Sequence, residues 1–523
     1  MRRGLVWTLS TRLTNAAIFA AFFVCAASAD EAVITSKGGA LELSGRIIGF
    51  DGTYLTIESP YGPLTLPFDQ VECLGEVCPG PENYIPELRF SGSSGMAELL
   101  LPALFDGFAR DQGWQIRQDS IESASQSFAF FDDAGPRLIL HVRSSTTDEG
   151  FADFVAFETD IVMADREATA EDIARAREVG AGRLDEERQA RIVALDGLVP
   201  VVSPFLAVER VGLEDLSRLI AGQVNNWERI GGPDQPVSVH LVGPADGLTQ
   251  RFIQMVLTAV GREVSETVVW HQTRQEMLAA VTEDHGAVGV ASFRETGLTK
   301  PIALVDRCGF AMTPRLLSLK TEDYPLTAPL ILYLPERRLP EAANAFFRYL
   351  RTSDAQLIVR RANFVDPGAV PIPLDAQGQR FAKAIASAGT EVSLEALQEM
   401  VASLLKRTRL STSFRFEAGA VNLDAQSGAN LLVLAQDIRD GKYADRSLLF
   451  AGFTDGRGSA EANRALSLSR AETVRDALLS IVGNLPEDVS LDVAGFGETL
   501  PMGCDDTIWG RQVNRRVELW VSE

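Results

Sequence analysis

Cations, histidines and long apolar runs are all scarce in this chain of 523 residues. Lys and Arg number 49 against 71 Asp and Glu, a formal net charge of −22. A nucleic-acid backbone needs a cationic face, so the balance argues against sequence-independent nucleic-acid binding. Any anion bound here has to be held by local groups. The four histidines, His141, His240, His271 and His285, are scattered and share no metal-ligand spacing. None stands in a triad order, which leaves a serine hydrolase without its base. No Gly-Lys-Ser/Thr completes a P-loop, no G-x-G-x-x-G follows a strand, and Gly92-Ser93-Ser94-Gly95 is one residue short of a G-x-S-x-G elbow. The chain therefore reads as a non-enzyme that needs no cofactor or metal.

The longest apolar run, Ala16 to Ala27, is well short of the ~18 to 20 residues that span a membrane. It follows Arg2, Arg3 and Arg12, contains no acidic residue and ends in Ala27-Ser28-Ala29. This spelling predicts a secretory signal peptide over residues 1–29. Cys25 follows Phe23-Val24 rather than a small residue, so lipid attachment is not expected. Without the three arginines, 46 cations face 71 anions, a charge of −25. In an exported protein Cys73 and Cys78, followed by Pro79-Gly80-Pro81, read as a local disulfide, with two free thiols as the alternative. The sequence does not decide whether Cys308 and Cys504 pair across domains.

A chain of this length holds several domains. Residues 30–82 alternate apolar and polar around Asp51-Gly52, a hairpin signal, and predict a small β module closed by the Cys73/Cys78 loop. Residues 83–375 alternate strand-like and helix-like stretches, as α/β layers do. Residues 376–409 read as a helical linker. Residues 410–523 read as strand, helix, strand, helix, strand, strand, an α+β sandwich. The expected fold class is thus multidomain.

In the middle region a Ser/Gly loop, Ser91 to Met96, ends a strand and opens a helix, an arrangement that favours an anion. Taken alone it is also an ordinary turn. It is followed by Ser144-Ser145-Thr146-Thr147, Asp160 to Asp165, Leu213 to Pro233 with Asn225-Asn226-Trp227, and Asp246-Gly247-Leu248-Thr249. This succession resembles the PstS-like periplasmic phosphate-binding proteins of ABC transporters over roughly 290 residues. The resemblance implies a two-lobed α/β periplasmic-binding-protein fold of type II, closing on a small oxyanion. The positions it assigns to the anion are Ser93, Ser94, Thr147, Asp165 and Thr249. Where the family carries an arginine, this chain reads Val242-Gly243-Pro244. A guanidinium contributes charge-assisted hydrogen bonds of about 1.5 to 3 kcal/mol each, so its loss leaves phosphate, another small anion and an empty cleft all open. Arg166 and Arg251 are the candidate substitutes.

Near the C-terminus stand Thr454-Asp455-Gly456, Asn463, Leu466-Ser467-Leu468-Ser469-Arg470-Ala471 and Asn514-Arg515-Arg516-Val517-Glu518. Order and distances are those of the OmpA-like peptidoglycan-binding domain, which this region closely resembles. The ligand that the resemblance implies is diaminopimelate of the peptidoglycan stem peptide, an ammonium beside a carboxylate. Asp455 would take the ammonium and Arg470 would grip the carboxylate. Thr454 and Asn463 would shape the loop, with Asn514 and Arg515 at its rim.

Together these readings predict a periplasmic solute-binding protein for phosphate or a related small anion, held noncovalently to peptidoglycan and near the outer membrane. An ABC permease or a sensor would be its partner. The alternative is an envelope structural or interaction protein whose cleft no longer binds phosphate.

Overall fold

The computed structural model describes residues 31–38, 41–60, 62–80, 84–122, 124–186, 189–389, 391–416 and 423–522. The signal peptide expected over residues 1–29 lies outside them. Two compact units divide the chain, Met1–Tyr84 and Ile85–Glu523.

In the first unit, strands Glu31–Ser36, Glu42–Phe50, Tyr54–Ser59, Gly62–Pro67 and Val71–Leu74 form an antiparallel sheet. The first strand pairs with both the second and the fifth. The Asp51 carboxylate accepts the amides of Thr53 and Tyr54 at 2.9 and 2.6 Å, and Gly52 takes φ +88°, so the hairpin turns where Asp-Gly predicts. Ala32, Ile34, Leu55 and Ile57 form a very small core. Cys73 and Cys78 are disulfide-bonded beside it, with Cα atoms 5.8 Å apart.

The second unit is built on an 11-stranded sheet. Its spine is Ala190–Val202, which pairs antiparallel with Thr327–Tyr333 and passes from one lobe to the other. On one side lie Glu87–Ser93, Ile161–Ala164 and Gly135–Ser145, mutually parallel, with a core around Phe90, Phe105, Phe128 and Phe346. On the other lie Ala287–Ser292, Ser238–Val242 and Val269–His271, with a core around Leu216, Trp227, Phe252 and Tyr324. These are the two lobes, joined by the crossing strands.

The C-terminal sheet runs Pro371–Ile372, Arg407–Phe414, Arg516–Ser522, Ser447–Phe453, Ser490–Gly495. Helices Ala425–Arg439 and Ala460–Val482 cover one face. The segment read as a linker covers the other. Its helices Gly378–Ser387 and Leu394–Leu404 bury Ala384, Leu397, Met400 and Leu404 against Leu449, Ala451, Phe453 and Trp520. The sheet's first long strand also begins at Arg407, inside that segment. Between the last two strands, read as directly consecutive, stands a short helix, Ile508–Asn514, capped by Thr507.

This domain is fixed to the second lobe. Arg409, 1% exposed, donates to Asp323 at 2.9 Å, and its Nε lies 3.4 Å from Glu518. Arg516 and Arg380 also bind Glu518, whose ionisation their charges hold far below the ordinary carboxylate range although burial opposes it. Cys308 and Cys504 form the disulfide that the sequence left open. Trp509 packs into the second lobe's core and donates to the Met255 carbonyl at 2.7 Å.

Asp323→Ala leaves Arg409 buried without its nearest carboxylate, with an expected loss of about 3 to 5 kcal/mol in chemical denaturation. A loss below about 1 kcal/mol, the worth of an exposed pair, would show that the joint does not depend on it.

Candidate functional site

The cleft between the lobes is made of strand-to-helix turns. Gly92 stands at φ +132°, where a Cβ would lie 2.1 Å from the Met163 carbonyl, so the strand Glu87–Ser93 meets its neighbour closely. The chain then turns into a helix at Ser94, and Ser93 Oγ accepts the Met96 amide at 3.3 Å. Thr146 caps helix Thr147–Val155, Asp246 caps Gly247–Val256, and Thr273 caps Arg274–Glu283. Amide groups at these helix starts favour negative charge.

Of the residues assigned to the anion, Ser93, Thr147, Asp165 and Thr249 are buried here, and Ser94 follows in the first helical turn. Thr147 Oγ1 accepts the Asp165 amide at 3.2 Å. Thr249 donates its amide to Asp246 at 3.0 Å. The lobes are shut on each other: a Cβ on Gly247 would lie 2.5 Å from Thr147 Oγ1.

A guanidinium does stand where the lobes meet. Arg274 Nη2 lies 2.9 Å from Asp246 and 3.4 Å from Asp165, bridging the lobes, and Nη1 approaches Gly95. Neither arginine named from the sequence does this. Arg166 is saturated by Asp148 and Asp172, each at 2.7 Å, and by Gln250. Arg251 lies with Glu167, Glu322, Asp424 and Arg415 in a separate cavity beside the C-terminal domain. A capping-box spelling, Thr273-Arg274-Gln275-Glu276, was the available signal for Arg274, since it sets that residue at a helix start just beyond a strand.

Burial, helped by the charge of Asp246 and opposed by Arg274, pushes Asp165 up to about 6. Burial likewise raises Asp196, which accepts from Ser292 at 2.5 Å. Between the ordinary carboxylate value of 3.8 and about 6 the folded state holds the extra proton, so Asp165 contributes most stability at low pH and loses it as pH rises through about 6. Asp165→Asn should stabilise the protein at about pH 7.5 by on the order of 2 kcal/mol more than at about pH 4 in chemical denaturation. Equal effects at both pH values would overturn this assignment.

The second site lies at the end of strand Ser447–Phe453. A Cβ on Gly452 would lie 2.0 Å from the Ser467 carbonyl, so helix Ala460–Val482 rides close against the strand and brings Arg470 to the loop. Asp455 accepts from Arg515 Nη1 at 2.8 Å and from the Arg457 amide at 3.2 Å. Asn463 donates to Glu498 and is buried. Asn514 binds Asp505 and the Gly503 carbonyl, each at 2.8 Å. Among the described residues, buried Thr454 Oγ1 and Arg470 Nη1 have no hydrogen-bond partner. The Arg470 guanidinium stacks over Phe416, and burial followed by Arg515 lowers its pKa. Leaving such groups unpaired is costly, so they point to a polar ligand.

Two parts of the chain match known protein families. The profile described as PBP superfamily domain matches residues 88–354, just over half of the chain, and that of the OmpA family matches 415–515. The chain is 24% identical over 181 residues to the phosphate-binding protein PstS of Bacillus subtilis, covering 34% of this chain and 56% of that protein. It is 34% identical over 113 residues to the peptidoglycan-associated lipoprotein of Pseudomonas aeruginosa, covering 21% of this chain and 62% of that one. It thus spans little more than half the length of the former relative. An ABC-type phosphate transport receptor from Vibrio cholerae aligns over 54% of this chain and 100% of its own, at 18% identity and a TM-score of 0.41. These relatives are binding and envelope proteins rather than enzymes.

Proposed function

Since the chain belongs to the PBP superfamily and ends in an OmpA domain, we propose that it is a periplasmic receptor for phosphate or a related small oxyanion, held noncovalently to peptidoglycan. The observation that carries the first half is Arg274, a guanidinium at the meeting point of helix starts with Ser93, Thr147 and Thr249 around it. Ser93, Ser94, Thr147 and Thr249 donate to the anion, Arg274 adds its charge, and Asp165 accepts from a protonated oxygen. Phosphate brings such a proton near neutral pH. An ABC permease or a sensor reads the closed state.

Unpartnered Thr454 Oγ1 and Arg470 Nη1 beside Asp455 support the second half. Arg470 grips the diaminopimelate carboxylate and Asp455 takes the ammonium, sharing its oxygens with Arg515, while Asn463 fixes the loop through Glu498.

One observation favours a second reading, an envelope interaction protein with an unliganded cleft. Arg274 is already balanced by Asp165 and Asp246 and itself bridges the lobes.

Calorimetry of phosphate against the full chain separates the two. The receptor reading expects about micromolar affinity or tighter, weakened about 10- to 100-fold by Arg274→Ala. No heat and no thermal shift with phosphate or sulfate would favour the unliganded cleft. For the other site, Asp455→Ala and Arg470→Ala should each abolish cosedimentation with purified sacculi with little change in thermal midpoint. Unchanged sedimentation of both variants would refute the assignment.

A further inference from the structure

The loop Pro501 to Thr507 touches both domains at once. On one side Cys504 is disulfide-bonded to Cys308 in the turn that follows strand Ala303–Val305 of the second lobe. Its amide donates to Asp306 of that same turn at 2.7 Å. On the other side Asp505 accepts the Gly456 amide at 2.8 Å through Oδ2 and Asn514 Nδ2 at 2.8 Å through Oδ1. Gly456 directly follows Asp455, and a side chain there would come within 2.6 Å of Asp505. Two residues past the loop, Trp509 enters the second lobe and bonds Met255.

We propose that the second lobe of the binding-protein domain is a structural part of the peptidoglycan site, with Asp505 as the positioning residue and the Cys308–Cys504 bond as its anchor. The inference rests on the peptidoglycan reading given above. Asp505 does not touch the ligand. It holds the Gly456 amide, and through it the backbone that aims the Asp455 carboxylate. Its own position is set from two sides: Asn514 Nδ2 and Arg511 Nη1 bond it within the domain at 2.8 and 2.7 Å, and the lobe holds the residue before it by one covalent bond and one hydrogen bond. Reduction of the disulfide (two electrons and two protons from an added dithiol, which itself becomes the disulfide) frees Cys504 from Cys308. On the lobe's side Cys504 then keeps only the Asp306 bond, while Asn514 and Arg511 hold the loop from within its own domain. Peptidoglycan affinity accordingly depends on the oxidation state of a bond in which one sulfur belongs to the solute-binding domain.

The test is cosedimentation of the full chain with purified diaminopimelate-containing sacculi, with and without dithiothreitol. Oxidised wild type binds, and reduction weakens binding about fivefold, the worth of roughly one hydrogen bond. A Cys73→Ser/Cys78→Ser variant keeps that sensitivity, whereas Cys308→Ser/Cys504→Ser binds at the weaker level and ignores the reductant. Asp505→Ala weakens binding to a similar degree without moving the thermal midpoint. Asp505→Asn, which retains an acceptor for the Gly456 amide, recovers most of the affinity. If oxidised wild type binds sacculi and neither reduction nor Asp505→Ala alters its affinity, the inference is overturned while the peptidoglycan reading stands. If oxidised wild type does not bind sacculi, both fall.

Discussion

Three buried guanidinium groups and two carboxylates, Arg380, Arg409 and Arg516 with Asp323 and Glu518, fix the register of the second unit's working parts. Taking such charges out of water costs several kcal/mol each, and only close pairing recovers it. Arg516, wholly buried, is pushed down to about 10 first by that burial. Asp323 belongs to the binding-protein region and Glu518 to the last strand of the C-terminal sheet. The joint between them is therefore part of the interior rather than a tether. The helices read as a linker have the same role, since they cover a sheet face that would otherwise expose Leu449, Phe453 and Trp520.

The cleft obeys the opposite economy of charge. Helix starts at Ser94, Thr147, Gly247 and Arg274 favour an anion, yet Asp165, Asp196 and Asp246 line the same space. The Arg274 guanidinium lies between Asp165 and Asp246. On the receptor reading, a guest that carries its own proton donates to the ionised Asp165 carboxylate, one of the two carboxyls here that burial raises. The same guanidinium bridges the closed lobes through its two carboxylate partners. Gln250 adds a second cross-lobe contact by bonding Arg166 and Asp148.

Much of this was legible where function is spelled in short motifs. Asp455 and Arg470 stand on a strand end and a helix whose spacing is readable, and the Ser93, Thr147 and Asp165 turns follow strands of evident pattern. Arg274 was not legible as a cleft residue. It lies 109 residues from Asp165, and no motif in the sequence ties the two together. The stripe Leu397, Met400, Leu404 announces a helix but not which sheet it covers. Helix Ile508–Asn514 is too short for periodicity to detect, and the burial of Trp509 exists only because another domain supplies the core. The Cys308–Cys504 pair, 196 residues apart, depends on the same docking. What the sequence hid is therefore what belongs to the meeting of domains.

A receptor held to the wall has one molecule bind an oxyanion and peptidoglycan at the same time. Full-length protein prebound to purified sacculi, equilibrated with radiolabelled phosphate and pelleted, tests it in a single measurement. The expected result is label in the pellet at about one phosphate per bound protein, absent when the protein is omitted. Protein in the pellet with no label above the sacculus background would contradict it.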